Sequence, residues 1–121
     1  MRRKAGTLIP IEVAILDAGI DLRLRGSGEF HGFMIAKEIR EREGARLLIA
    51  HGTLYRALDR MRKAGLLESE WEDPSVGAAA QRPRRRLYKV TTAGEAALVN
   101  AGASMRMSST QARPLVGPAT P

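Results

Sequence analysis

The segment Gly52–Ala64 constrains the fold most, because it combines one narrow apolar face with a defined end. Its apolar residues follow the spacing i, i+3, i+4 and i+7 of an amphipathic helix: Leu54, Ala57, Leu58 and Met61. Gly65 comes next and can adopt the left-handed conformation that closes a helix C-terminus. The other faces of the helix are polar and mostly cationic. We therefore expect a helix that buries one side in a core and presents positive charge on the rest.

Helices and strands are predicted on both sides of this segment. Their bounds, in chain order, are a helix over 9–22, a helix over His31–Glu43, a strand over Leu67–Glu72, a strand over Arg84–Val90 and a helix over 92–102. The Gly/Ala/Ser-rich stretch Asp73–Pro83 is a loop by composition. The expected fold is α+β and mainly α, with three helices, a two-stranded hairpin and a C-terminal helix.

Alternation in the hairpin assigns its two faces. Trp71 and Tyr88 fall on the face that we expect to be packed, whereas the three glutamates of the first strand point to solvent. Arg85 and Lys89 can pair across the ladder with Glu68 and Glu70. Arg82 and Arg84 lie toward the loop tip, beyond the reach of that pairing.

The helix over 9–22 is apolar on more than one face. Only Glu12, Asp17, Gly19 and Asp21 interrupt its apolar residues. Such a surface is wider than a small core needs from one helix. Two interpretations remain open: a central helix buried on several sides, and a helix shared with a second subunit.

The chain divides into one domain and two flanking segments. A length of 121 residues with 44% hydrophobic residues suits a single modest core, which we place at residues 8–103. Residues 1–7 form a basic arm with Arg2, Arg3 and Lys4, and residues 104–121 read as a disordered tail rich in Ser, Ala and Pro. The start lacks the features of a secretory signal and no apolar run is long enough for a membrane span. We expect a cytoplasmic protein.

Charge and residue types narrow the function. The formal charge is +7, which makes a polyanion the default partner. Cysteine is absent from the sequence and histidine occurs twice, so no ordinary zinc site or thiol chemistry is expected. No nucleophile–base pair or phosphate-binding glycine loop is recognisable. We expect neither an enzyme nor a bound metal or cofactor.

Four short motifs carry a family resemblance. In chain order they are His31-Gly32-Phe33, Gly52-Thr53-Leu54-Tyr55, Gly65-Leu66 and Arg86-Leu87-Tyr88-Lys89-Val90-Thr91. Together, in this order and spacing, they resemble the PadR family of transcriptional regulators over about residues 8–101. The resemblance implies a winged helix-turn-helix in which Gly52–Ala64 is the recognition helix and the hairpin is the wing.

The same resemblance implies a function. It describes a homodimeric repressor that binds an inverted repeat in double-stranded DNA, with the helices over 9–22 and 92–102 supplying the dimer contacts. Family members often release DNA when a small aromatic or lipophilic effector binds near the dimer interface, and others have no known effector.

The DNA-contacting residues are expected on the recognition helix and in the wing. The candidates are His51, Thr53, Tyr55, Arg56, Arg60 and Lys63 on the helix, with Arg82, Arg84 and Arg85 in the wing. Asp59 is an intrahelical partner for Lys63, four residues on. His51 could equally occupy a turn without touching DNA.

Two other functions fit the pattern less well. A winged fold can act as a protein-interaction module without specific DNA binding, because a fold alone does not define a function. A double-stranded RNA binder would select A-form shape rather than sequence.

Overall fold

A computed structural model describes residues 7–44 and 50–112, and the side chains within those ranges as far as Gly102. In chain order the elements are α1 (Pro10–Leu24), β1 (Phe30–His31), α2 (Gly32–Glu43), α3 (His51–Lys63), β2 (Leu67–Trp71), α4 (Pro74–Ala79), β3 (Arg86–Val90) and α5 (Thr92–Ala112). The predicted helices and hairpin are all present. The basic arm at Arg2, Arg3 and Lys4 and residues 113–121 of the predicted tail lie outside the described residues.

The sheet has three strands where the sequence predicted two. β3 lies in the centre, with β2 antiparallel on one side and β1 antiparallel on the other. Phe30 is opposite Tyr88, and the two rings stack with centroids 6.1 Å apart. β1 has only two residues, too few to show an alternating pattern, and pairing with β3 is what makes it a strand.

The core lies where α1, α2, α3 and the sheet meet. Its most deeply buried large side chains come from all of these elements: Ile15, Leu16, Phe30, Ile35, Ile39, Leu54, Leu58, Met61 and Leu67. Aliphatic residues dominate it, as expected from a sequence with 4% aromatic residues. The packing of these side chains holds the sheet and α3 in fixed relation.

Contacts within one subunit bury much of α1. Ile11, Ala14, Ile15, Leu16, Ala18, Gly19 and Leu22 are buried there, which confirms the interpretation of a central helix. Leu24, at its C-terminal end, is 79% exposed. The surface ion pairs Arg42–Asp17 (2.6 Å) and Arg25–Glu38 (2.5 Å) connect α2 with α1 and the turn that follows it.

Two segments predicted as irregular are helical. The loop Asp73–Pro83 contains α4, because Asp73 caps it by accepting a hydrogen bond from the Ser75 amide (2.9 Å) and Pro74 occupies its first turn. The helix expected to end near Gly102 continues to Ala112, into the predicted tail. Residues 103–112 include good helix formers (Ala, Met, Arg, Gln), and the first proline after them is Pro114.

Within residues 7–44 and 50–112, no helix combines the length and apolar character needed to cross a bilayer.

Candidate nucleic-acid interface

α3 is anchored by the apolar stripe that the sequence predicts. Leu54, Ala57, Leu58 and Met61 are each at most 1% exposed. Gly65, with φ 82°, ends the helix in the left-handed region, and the Leu66 amide donates to the Met61 carbonyl (2.9 Å). This is the Schellman arrangement, and it directs the chain into β2.

One exposed flank of α3 carries Thr53, Arg56 and Arg60, and Lys63 lies farthest from the core. Arg56 Nη2 donates to Thr53 Oγ1 at 3.3 Å, so these two side chains lie along the helix surface. These four predicted contact residues are therefore exposed together on one part of the helix surface. We call Arg56, Arg60 and Lys63 the α3 cation ridge.

Arg60 has a buried partner that sequence reasoning missed. Its Nε donates to Glu12 Oε2 at 2.8 Å, and Glu12 is only 3% exposed. The other carboxylate oxygen of Glu12 accepts from the Ile9 amide at the start of α1 (3.0 Å). The two residues are 48 positions apart, so no local pattern could have paired them. Arg60 itself remains 42% exposed.

Tyr55 lies on the opposite flank of α3. Its ring occupies the space above Gly32, where a Cβ atom would overlap the tyrosine ring and hydroxyl. The His51 ring lies 5.1 Å from the Tyr55 ring, which places both at one end of the helix. Tyr55 is 39% exposed, and this contact connects two of the motifs noted in the sequence.

Asp59 holds the cations near the end of α3. It accepts from Lys63 Nζ (3.1 Å), as predicted, and also from Arg62 Nη2 (2.7 Å). These hydrogen bonds, from Arg62 first and then Lys63, lower the pKa of Asp59. The Asp59 carboxylate therefore partly offsets the positive charge of Lys63.

The expectation that no wing glutamate reaches Arg82 is wrong. Its two terminal nitrogens contact the two oxygens of Glu72 at 2.7 and 3.1 Å, although the sequence placed Arg82 beyond the glutamates and Glu72 in solvent. The hydrogen bonds from Arg82 lower the pKa of Glu72 to about 2. The sequence predicted an open loop over Asp73–Pro83. The helical turn α4 within it brings Arg82 back beside Glu72.

Arg85 also differs from its predicted pairing. The register places Lys89 opposite Glu68 but Leu87 opposite Glu70, and β3 begins only at Arg86. Lys89 approaches Glu68 at 3.8 Å, as expected. Arg85 lies before the strand, where its backbone amide donates to Glu72 (3.2 Å).

The guanidinium of Arg85 lies against His31, its Nη1 3.1 Å from Nε2 of the ring. The other ring nitrogen, Nδ1, accepts from the Met34 amide (3.2 Å) and caps α2, so His31 is a structural turn residue. Burial, and then the positive charge of Arg85, lower the pKa of His31 below its usual value. A cation that the sequence assigned to DNA thus contacts a helix cap.

Trp71 lies on the predicted face of the wing, with Leu67 and Tyr88, but it is not packed there as expected. It is 53% exposed, because β2 extends past the core at this point. The guanidinium carbons of Arg84 and Arg86 lie 5.2 and 5.4 Å from its ring centroid. Tyr88, two pairs further along the ladder, is buried as predicted. Sequence reasoning missed Arg86 as a surface cation.

We searched the described residues for clusters of side chains that could bind a metal ion. Across 7–44 and 50–112, no group of three His, Asp or Glu residues is arranged to hold an ion. A shallow polar depression on the sheet is lined by Glu29, Glu68, Ser69, Glu70, Leu87, Tyr88 and Lys89.

Solved structures resemble the whole arrangement. A PadR-like transcription factor from Bacteroides fragilis has 27% identity and a TM-score of 0.64, covering 88% of this chain and 89% of that one. A PadR family transcription regulator from Clostridium difficile (24% identity, TM-score 0.67) covers 88% and 98%. A transcriptional regulator from Clostridium thermocellum (22% identity, TM-score 0.68) covers 88% and 90%. No significant match is found among curated proteins.

The sequence itself matches a family over most of the described domain. Residues 22–100 match the PadR-like family of transcriptional regulators. This range contains α2, α3, the wing and the start of α5. The chain belongs to the PadR-like family of transcriptional regulators.

Proposed function

We propose that this regulator is a cytoplasmic homodimeric repressor that binds an inverted repeat in double-stranded DNA. The observation that carries the proposal is the α3 cation ridge, exposed on a helix whose opposite face is fully buried. A helix of this kind fits the major groove, where each base pair presents a distinct set of donors and acceptors. The wing lies beside the helix and supplies further cations for the phosphate backbone.

The proposed DNA-contacting residues are the nine that the sequence predicts, and the structure suggests which arginines contribute most to binding. His51, Thr53, Tyr55, Arg56, Arg60 and Lys63 act from α3, and Arg82, Arg84 and Arg85 act from the wing. Arg82 and Arg85 have partners within the chain, so we expect them to contribute less to binding than Arg84 and Arg56.

Selection of bound sequences from randomised duplexes tests binding, symmetry and spacing together. We expect an inverted repeat whose half-sites are about 10 base pairs apart, because a two-fold dimer places its recognition helices one DNA turn apart. If each subunit neutralises about three phosphates, log K against log salt has a slope of about −5. An asymmetric single site, or affinity independent of salt, would contradict the proposal.

The ion pairs favour one alternative, a winged-helix protein-interaction module. Arg60, Lys63 and Arg82 each contact a carboxylate of the same chain, which reduces the positive charge available to DNA. Heparin affinity separates the two functions. A DNA-binding wing loses retention when Arg84→Glu is introduced, whereas an interaction module elutes early with or without that change.

We also propose that a small aromatic or lipophilic effector releases the protein from DNA. This part of the proposal rests only on membership of the PadR-like family. The expected result is that one such compound lowers operator affinity and raises the melting temperature of the free protein, since binding to the folded state stabilises it. Screening a set of aromatic acids and lipophilic cations by thermal shift, followed by operator binding, checks this.

A further inference from the structure

Two arginines of the wing stack on one exposed indole. The guanidinium carbons of Arg84 and Arg86 lie 5.2 and 5.4 Å from the ring centroid of Trp71. The Arg86 Nε also donates to Ser69 Oγ at 3.1 Å, which fixes its orientation on the sheet. Trp71 is 53% exposed, so its ring and the two guanidinium groups beside it are accessible from solvent.

The two neighbouring arginines of the wing contact polar partners instead of an aromatic ring. Arg82 forms a two-point ion pair with Glu72, and Arg85 contacts His31. A carboxylate partner neutralises a guanidinium, whereas an aromatic ring attracts it without cancelling its charge. Arg84 and Arg86 therefore keep their positive charge while losing conformational freedom.

The stack lies on the face of the sheet that is turned toward α3. Trp71 pairs with Arg86 at the end of the β2–β3 ladder, and Ser69 pairs with Tyr88 two positions closer to the core, on the same face. Leu67 and Tyr88, on the same face of the ladder, are buried in the core that also contains the apolar stripe of α3. The two stacked arginines thus continue the surface that α3 begins.

We propose that Trp71 is a positioning residue that holds Arg84 and Arg86 as a two-arginine clamp for phosphate groups of duplex DNA. The inference rests on the DNA binding proposed above and names the part of the wing that carries it. An arginine fork matches a phosphate with two parallel hydrogen bonds, and stacking on an aromatic face arranges the fork before the phosphate arrives.

Trp71 reports on its own contact, because it is the single tryptophan of the chain. The probe is a mixed-sequence DNA duplex at low salt, since phosphate contacts do not require the operator. Binding is followed both by the anisotropy of labelled DNA and by tryptophan emission. We expect the emission to change with the same saturation curve as the anisotropy and to return when salt is added.

Substitutions distinguish the effect of the two-arginine clamp on DNA binding from the effect of overall positive charge. Arg84→Gln and Arg86→Gln are each expected to reduce the salt slope by about one. Trp71→Leu is expected to weaken binding roughly two- to fivefold, the range for loss of an exposed cation–π contact. In the Arg84→Gln, Arg86→Gln background, Trp71→Leu has no further effect if it acts only through the two arginines. Lys89→Gln is the matched control, because Lys89 is a wing cation on the other face of β3, beside Glu68, and it leaves the slope unchanged.

The outcomes distinguish the clamp from the function on which it rests. A wild-type chain that binds no duplex by anisotropy overturns the proposed function together with the clamp. A chain that binds, and weakens on Arg56→Gln, but shows no emission change or no effect of Trp71→Leu, overturns the clamp alone. Trp71→Leu that weakens binding equally in the double-arginine background shows that the indole contacts DNA itself and also overturns its role as a positioning residue.

Discussion

Gly32 illustrates how a missing side chain can set the position of a functional one. The Tyr55 ring fills the space that a Cβ at residue 32 would need, so the glycine of α2 determines where the tyrosine of α3 lies. The resemblance identified both residues from separate motifs. Their contact gives a physical reason why the two motifs occur together.

Gly32→Ala is expected to displace the Tyr55 ring. Overpacking of this kind costs about 1–3 kcal/mol of unfolding free energy, and the cost is at the low end if the tyrosine can rotate outward. If Tyr55 contacts DNA, duplex affinity falls at the same time. Chemical denaturation and anisotropy measure the two effects. Gly28→Ala is the control, since a Cβ there has nothing within 4 Å, and equal effects of both changes would contradict the prediction.

Glu72 offers a test by pH. The two-point contact with Arg82 lowers the pKa of Glu72 from 4.5 to about 2, so the carboxylate is favoured in the folded wing. The stabilisation is complete above the unfolded value of 4.5 and is lost as the pH falls through the folded value of about 2. Carboxyl titration by NMR measures this pKa directly.

A variant without the Arg82 guanidinium tests the cause of the low Glu72 pKa. Arg82→Gln is expected to return the pKa of Glu72 toward its ordinary value, because the largest cause of the shift is the hydrogen bond from Arg82. Arg84→Gln should leave the pKa of Glu72 low, since Arg84 stacks on Trp71 instead. An unshifted Glu72 in the wild-type chain would show that the ion pair is absent in solution.

Between elements, the pair Glu12–Arg60 connects α1 with the recognition helix. Glu12 is 3% exposed and Arg60 is 42% exposed, so the two partners respond differently to loss of the other. Without the guanidinium, the buried carboxylate loses a charged hydrogen-bond donor, whereas Arg60 without Glu12 can turn to water. The pair fixes the orientation of Arg60 on the α3 cation ridge.

Arg60→Met is expected to destabilise the chain by about 2–4 kcal/mol, and Glu12→Gln by less. Arg56→Met is the matched control on the same helix, with an expected change within about 0.5 kcal/mol, because its contact with Thr53 is exposed. Urea unfolding compares the three variants. A larger loss for Glu12→Gln than for Arg60→Met would show that the carboxylate matters mainly as the cap of α1.

The elements themselves were predictable to different degrees. α3 and the two wing strands have local patterns, an apolar stripe and an alternation, and their positions are confirmed. α4 was missed because Asp-Pro marks both a turn and a helix start, and only the hydrogen bond from Ser75 to Asp73 decides between them. β1 has no local pattern, since its existence depends on pairing with a strand more than fifty residues away.

At the scale of the whole molecule, the proposed homodimer needs a surface on which two subunits can meet. Leu24 of α1 and Val99 of α5 are 79% and 66% exposed, and α1 and α5 are joined by the ion pair Arg23–Glu95 (2.8 Å). An interface on these two helices would cover both apolar side chains. The dimer contacts that the sequence assigned to 9–22 and 92–102 stay a prediction, with Val99 inside the second range and Leu24 just beyond the first.

Val99→Asp combined with Leu24→Asp is expected to shift the protein to monomers, because a charge buried in an apolar interface is costly. Operator affinity falls with it, since two half-sites are then bound independently. Sedimentation measures the mass, and Val76→Asp on α4 is the control at another exposed apolar residue. A dimer that survives the double change places the interface elsewhere.

The four longer helices, the hairpin and the family could all be predicted from spacing over a few neighbouring residues, and the positive charge from composition. Which arginines are paired and which are stacked depends on how the chain folds. Glu12 with Arg60, and Arg85 with His31, are separated by 48 and 54 positions, and Arg82 reaches Glu72 only because α4 closes the loop. A charge can be counted from the sequence, but its partner is fixed by distance in the folded chain.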